Sequence, residues 1–274
     1  MSKEKLPKWD LESIYPSVTS PEFEGDIKKI HELSENLKTL SSDKSASILS
    51  ILNLYDTLMD VLETVGSYTY TSFSVNTTDS DVLAAMGKAE KAETAAGDAV
   101  TMMIHHLSSR TEEFSLPELK DYSLFLKEVK VSSEHMMSLE EEALANEMLQ
   151  VSASAWGRLQ ESVTSSIADG DKTLTQLRGM AMSSDREERK KAYEREVKIL
   201  ADHKVALAAA LNGVKGTALM LEKRRGWKDP LDRSCNTARI SRKTLDALIS
   251  ALEEALPMFR DYLNTKARLL HLDK

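Results

Sequence analysis

Ser184–Gly226 reads SDREERKKAYEREVKILADHKVALAAALNGVKGTALMLEKRRG. Ser184 followed three residues later by Glu187 has the form of a capping box, in which the hydroxyl and the carboxylate each satisfy a backbone N–H of the first helical turn. Tyr193, Val197, Leu200, Leu207, Leu211, Val214, Ala218 and Leu221 then recur at alternating three- and four-residue steps, with only Lys204 interrupting the stripe. Arg224 and Arg225 put positive charge where the helix dipole is negative, and Gly226 stands where a left-handed residue ends a helix. The stretch predicts one central helix over 185–225, roughly 60 Å long at about 1.5 Å per residue. A stripe of that length needs several partner helices to cover it.

The rest of the chain supplies them. Its 274 residues hold only 10 Gly and 6 Pro with a 41% hydrophobic share, enough for a substantial core but few of the turns a many-stranded fold requires. The expected class is all-α, an elongated array of long antiparallel helices. A net charge of −8 argues against a nucleic-acid partner, whose phosphates call for concentrated Lys and Arg. No uninterrupted apolar run approaches the ~20 residues of a membrane span, and MSKEKLPKWD lacks the apolar segment of a secretion signal. A single cysteine, Cys235, cannot close an internal disulfide and fits a reducing, cytoplasmic setting.

Residues 1–19 form a polar arm carrying Trp9, Leu11, Ile14 and Tyr15, which should lie across the helical body. Ser20 and Pro21 open a helix with Phe23, Ile27, Ile30 and Leu37 inward, ending near Leu40. Ile48 to Val65 mark a second, and its ambiguous tail SYTYTSFSVN is read as helix. A third starts at Thr78 or Asp79 with Val82, Leu83, Met86, Ala96, Val100, Met103, Ile104 and Leu107 on its face, its alanines and glycines suiting close helix contact. A shorter helix begins at Leu116–Glu118, and Ser138 with Glu141 caps another that continues through Trp156 and Leu159 to about Val163. Asp169-Gly170 marks a short hairpin near 163–175, on the reading that both residues take positive φ. Thr173 with Gln176 caps the brief helix before Ser184, and Ser241 caps the last one, which Pro257 should kink. The organisation expected is a helical lobe over 1–131 and a second over 132–274.

Residue chemistry alone assigns no catalytic, cofactor-binding or metal residue. A zinc protease helix carries two histidines one turn apart with a glutamate beside the first. HELSE, from His31 to Glu35, is the nearest approach, and Glu35 stands where the second histidine is needed. His105 and His106 are adjacent and diverge by about 100° on a helix. Gly213 and Gly216 follow no strand and precede no GK[ST], so they read as places of close helix approach. The REERKKAYER run sets its own glutamates against its basic residues and reads as a solvated face, and the Met pairs at 102–103 and 136–137 read as core filling.

Several segments together resemble one family. WDLESIYPS (Trp9–Ser17), PEFEGDI (Pro21–Ile27), SEHMMSLEEEALANEM (Ser133–Met148), AWGRL (Ala155–Leu159) and GDKTLTQL (Gly170–Leu177) follow the order found in oligoendopeptidase F. So do SSDREERKKAYE (Ser183–Glu194), RRGWKDPLD (Arg224–Asp232) and YLNTKARLLHLDK (Tyr262–Lys274). The resemblance implies a cytoplasmic zinc metallopeptidase, similar to thimet oligopeptidase, that cleaves short unfolded peptides in a channel between two helical halves. Such enzymes hold zinc on an HExxH helix, and no HExxH occurs in these 274 residues. The resemblance is therefore to the N-terminal half alone, which would form a non-catalytic channel wall, hold no zinc itself and self-associate through apolar faces left bare by the missing half. The competing reading is a stand-alone helical scaffold.

Overall fold

The computed structural model describes residues 10–170 and 172–272; Trp9, Asp171, Asp273 and Lys274 lie outside them. The all-α expectation holds: eleven α-helices and one two-stranded hairpin account for nearly all regular structure among the described residues. The chain divides into two compact units, Met1–Ala218 and Leu219–Lys274, with the division inside a helix.

The first unit is built on α1 (Pro21–Ser42), α2 (Ile48–Val75) and α3 (Ser80–Ser108). Ser20 caps α1 by accepting from the Phe23 N–H, with proline at the first helical position, as the sequence indicates. The tail of α2 is helical, and Asp79 caps α3 through the Asp81 and Val82 N–H groups. Phe23, Ile30 and Leu37 of α1 meet Ile51, Leu52, Leu58 and Val65 of α2, all fully buried. The facing side of α3 is Ala92, Ala96, Ala99, Met103 and Leu107. Small side chains let three helices approach closely while the larger ones fill the space between turns. Leu83 lies outside this face and is exposed. The arm crosses this body as expected: Tyr15 is buried edge-on to Phe23 and Tyr68, with ring centroids 5.5 and 4.9 Å away. Its hydroxyl donates to Asp26 at 2.7 Å.

After α3 the chain departs from expectation at Leu116–Glu118, where two 3-10 turns (Thr111–Ser115 and Pro117–Tyr122) precede α4 (Ser123–Glu134). The Ser138–Glu141 capping box opens α5 (Leu139–Val151), but the helix does not run on to Val163. Ser152, at φ −113° and ψ −98°, breaks it, and α6 (Ala153–Ser166) follows. The hairpin pairs β1 (Ala168–Asp169) with β2 (Lys172–Thr173), Ala168 opposite Thr173. Asp169 is the last residue of its strand, and Gly170 at φ 62° takes the left-handed position, so the turn falls one residue later than read. The Thr173–Gln176 box then opens α7 (Leu174–Gly179).

The 185–225 helix is corrected to two. α8 (Arg186–Asp202) and α9 (Lys204–Arg224) are separated at His203, whose ψ of 8° leaves the helical range. Asp185, not Ser184, caps the first by accepting from the Glu187 N–H. The stripe is not the centre of the core either: Tyr193, Val197 and Leu211 are exposed, and Val214 is half-buried. Ile199, beside the stripe, forms a small second cluster with Ile167, Leu174 and Leu177 beneath the hairpin; of the stripe itself Leu200 packs against that cluster and Leu221 is buried. α9 is the one described helix long and apolar enough by composition to cross a bilayer.

The second unit contains the end of α9, α10 (Pro230–Thr237) and α11 (Arg242–Leu269). Gly226, at φ 73°, closes α9 with the Trp227 N–H donating to the Glu222 carbonyl and its own N–H to Lys223, the two bonds of a Schellman end. Asp229 caps α10 and pairs with Arg242, while Ser241 caps α11, which runs through Pro257. No described residue of α11 is buried.

Candidate functional site

The histidines do not converge. His31 lies exposed on α1 and His105 exposed on α3; His135 and His203 occupy the ends of α4 and α8. Among the described residues no group of three His, Cys, Asp or Glu is placed to hold a metal ion. A tetrahedral zinc site needs three protein ligands or more, so the described residues do not fit zinc. His106 has a structural partner instead. Arg110 clamps Glu113 in a two-pronged ion pair at 2.6 and 2.7 Å, donates to the Ala46 carbonyl at 2.7 Å and approaches His106 Nε2 at 3.2 Å. Burial, then the neighbouring guanidinium, pushes the His106 pKa down, and the Arg110 bonds hold the Glu113 carboxyl below the usual range.

A hollow lies between α2 and α3. A trough of about 490 Å³ runs along their seam, lined by Met59, Leu62, Tyr70, Met86 and Ala89. It adjoins a second hollow of about 290 Å³ toward α6, sharing Met86 and Glu90. A third, of about 250 Å³, continues past Tyr70, Phe73 and Thr77 to α7. The combined hollow falls within or above the range of about 300–1,000 Å³ occupied by ligand pockets. Tyr70 is 64% exposed at its lip.

Gly66 in α2 lines the trough and Gly87 in α3 lines the second hollow, and a Cβ added at either would meet nothing within 4 Å. A glycine inside a helix costs about 0.5–1 kcal/mol relative to alanine, and no packing contact at either position offsets that. Close-contact readings for the α3 glycines are thus corrected at Gly87. At the other two glycines named from sequence, Gly213 does permit close approach, by the Trp156 indole, whereas Gly216 does not.

The trough wall is held by α5 and α6. Arg158 of α6 pairs with Glu90 at 2.8 Å and donates to the Gln150 carbonyl at 3.0 Å, while the Gln150 amide donates to Thr94 at 2.7 Å. Asn146 donates to Asp98 at 2.9 Å, so α5 is pinned along α3 at two heights. Glu90 is neutralised. Glu63, Glu93 and Glu161 also line the hollow, and their carboxylates meet no partner among the described residues. Apolar floor and unpaired acid rim escaped the sequence reading, because no single helix's periodicity reports what two helices leave between them.

The helical fold has counterparts among known proteins. The family model described as Oligopeptidase F, Peptidase_M3_N, matches residues 109–168. Oligopeptidase PepF of Bacillus subtilis (strain 168) is 25% identical over 285 residues, covering 97% of this chain and 42% of its own length. The crystal structure of oligoendopeptidase-F from Enterococcus faecium superposes with a TM-score of 0.76 at 18% identity, over 92% of this chain and 54% of that one. The resemblance to the N-terminal portion of oligoendopeptidase F therefore stands, and the chain spans about half or less of the longer proteins it matches.

Proposed function

We propose that this chain is the N-terminal, non-catalytic portion of an oligoendopeptidase F-like zinc metalloendopeptidase, and that it forms one wall of the channel in which short unfolded peptides are cleaved. The observation that carries the reading is coverage: nearly all of this chain aligns with PepF while filling only 42% of it. The chemistry supports the same division of labour. No HExxH occurs in the sequence, and no metal-competent cluster occurs among the described residues. The zinc, the general base and the second half of the channel then belong to a catalytic portion outside these 274 residues. The lobe boundary at 131/132 is part of this proposal. A cytoplasmic setting is supported by the single cysteine, Cys235, buried in α10.

The α11 face supports a missing counterpart. Leu248, Leu252, Leu256, Phe259 and Leu263 share one side of that helix and are all exposed. A contiguous apolar surface of this kind marks a place where another body docks, here the catalytic half. The test is to assay the purified chain for metal content and for hydrolysis of a quenched-fluorescence peptide of about eight residues, with and without added zinc. Neither stoichiometric zinc nor chelator-sensitive cleavage is expected. One tightly held zinc per chain, or cleavage abolished by a chelator, overturns the assignment.

A further inference from the structure

We propose that Asp169-Gly170, at the hairpin turn, is a site of spontaneous isoaspartate formation, restrained by Arg195 and recognisable by a carboxyl methyltransferase. Only two glycines in the chain follow Asp or Asn: Gly170 after Asp169 and Gly213 after Asn212. Such pairs react because glycine carries no side chain to shield its amide nitrogen from the carboxyl or carboxamide carbon before it. By sequence Asn212 is the more reactive, since a carboxamide is attacked more readily than a carboxylate. The fold reverses that order. Gly213 lies inside α9 with the Trp156 indole against its backbone, and ring closure there requires helical hydrogen bonds to break. Gly170 is exposed at φ 62°, with nothing within 4 Å of where a Cβ would stand. Its hairpin pairs only two residues per strand, so the turn opens at small cost.

In the reaction the Gly170 nitrogen gives up its proton and bonds to Asp169 Cγ, while a carboxyl oxygen leaves as water and a succinimide ring closes. Water then adds to the Asp169 main-chain carbonyl carbon and breaks its bond to that nitrogen. The chain now runs through Cγ, one methylene longer, and the former main-chain carbon carries a free carboxylate. One water leaves and one enters, so mass and charge are unchanged and no oxidant or cofactor is consumed. Arg195 sets how often the first step occurs. Its Nε donates to the Asp169 carboxylate and its Nη2 to the Asp169 carbonyl oxygen at 2.6 Å. One planar guanidinium therefore keeps the carboxylate on the oxygen side of the main-chain carbon, and the Gly170 nitrogen is bonded to the other side. Attack requires that fork to let go, which makes Arg195 a positioning residue. Once formed, the extra methylene disturbs the register of Ala168 with Thr173 and the cluster of Ile167, Leu174, Leu177 and Ile199 beneath it. The new main-chain carboxylate is the group that methyltransferases using S-adenosylmethionine esterify in isoaspartyl proteins. None of this rests on the peptidase reading.

The test is prolonged warm incubation of the whole chain near neutral pH. Isoaspartate is then measured by enzymatic methyl transfer from labelled S-adenosylmethionine and located by peptide mapping. It is expected at Asp169, as a peptide of altered retention and unaltered mass, ahead of deamidation at Asn212, which changes the mass. Arg195→Ala should speed conversion at Asp169 at least fivefold, because the reaction follows the population of the released turn. Arg195→Lys keeps the charge but not the fork, and its rate should fall between the two. Ile167→Ala loosens the hairpin with the fork intact, so for the same rise in amide exchange at Gly170 it should speed conversion less than Arg195→Ala does. Asp169→Glu, whose longer side chain closes the ring poorly, should remove the methylation signal. Faster reaction at Asn212 than at Asp169, no isoaspartate at Asp169, or conversion that tracks amide exchange alike in all the Arg195 and Ile167 variants overturns the proposal.

Discussion

The indole of Trp156 lies against the backbone of Gly213 so closely that a Cβ there would sit 2.3 Å from its Cδ1. Gly213→Ala should therefore displace the ring and cost a net ~1–2 kcal/mol, overpacking outweighing alanine's helix preference. Gly216→Ala, with nothing within 4 Å, should gain up to ~1 kcal/mol. Chemical denaturation of the two variants, with tryptophan emission as a second readout, checks the contrast. Equal effects would place the indole elsewhere.

Arg195 of α8 ties down the hairpin, pairing with the Asp169 carboxylate and donating to the Asp169 carbonyl at 2.6 Å. Both side chains are partly exposed, so Arg195→Ala should cost only about 1 kcal/mol globally. Its local effect should be larger, seen as faster amide exchange across Ala168–Leu174 with exchange in α2 unchanged. Uniform protection in the variant would show that the hairpin holds itself.

The Tyr122 hydroxyl donates to Asp56 at 2.5 Å, and that bond, with burial second, pushes its pKa up to about 12. A raised tyrosine favours the folded state while neutral, so this stabilisation is complete below about pH 10 and is lost as pH rises through about 12. Tyr15, raised further by burial and by Asp26, acts in the same direction. Thermal melts from pH 9 to 12 should fall steadily, and Tyr122→Phe should shallow the decline without removing it.

On the acid side His106 has the opposite sign. Its lowered pKa means the unfolded chain takes up the proton first, so the contribution is complete above about pH 6.5 and fades as pH falls. His106→Asn should flatten the change in melting temperature between pH 7 and 5. An unaltered slope would show that the ring titrates as freely in the fold as in the unfolded chain.

The exposed face of α11 should make the isolated chain associate. Light scattering should show mass rising with concentration, and Leu252→Glu with Phe259→Glu should restore a monomer. A wild-type chain monomeric across the concentration range would count against a face awaiting a counterpart.

What was legible in the sequence was local. Ser20-Pro21, Ser138 with Glu141, Thr173 with Gln176 and Gly226 each satisfy free backbone groups within a few residues, and each cap stands where it was read. Breaks without a Gly or Pro were not legible. At His203 the bonds His203 N–H to Ile199 and Leu207 N–H to His203, both 3.2 Å, bracket the interruption, so the apolar stripe passes across it unmarked. Two further left-handed ends, at Arg239 and His271, repeat the Gly226 hydrogen-bond pattern with no glycine to announce them. The core itself was misplaced because periodicity shows that a helix has an apolar side, not which helices meet. The alanine face of α3 outweighs the longer stripe of α8 and α9 in burial. The open space beside Gly66 and Gly87 is likewise set by how helices meet, which no single helix's sequence reports.

With its leucines outward on one side and charge on the other, α11 equips this polypeptide as a surfactant. Dilute samples will adsorb to air bubbles, plastic and glass, so handling losses and foaming are built into the last helix.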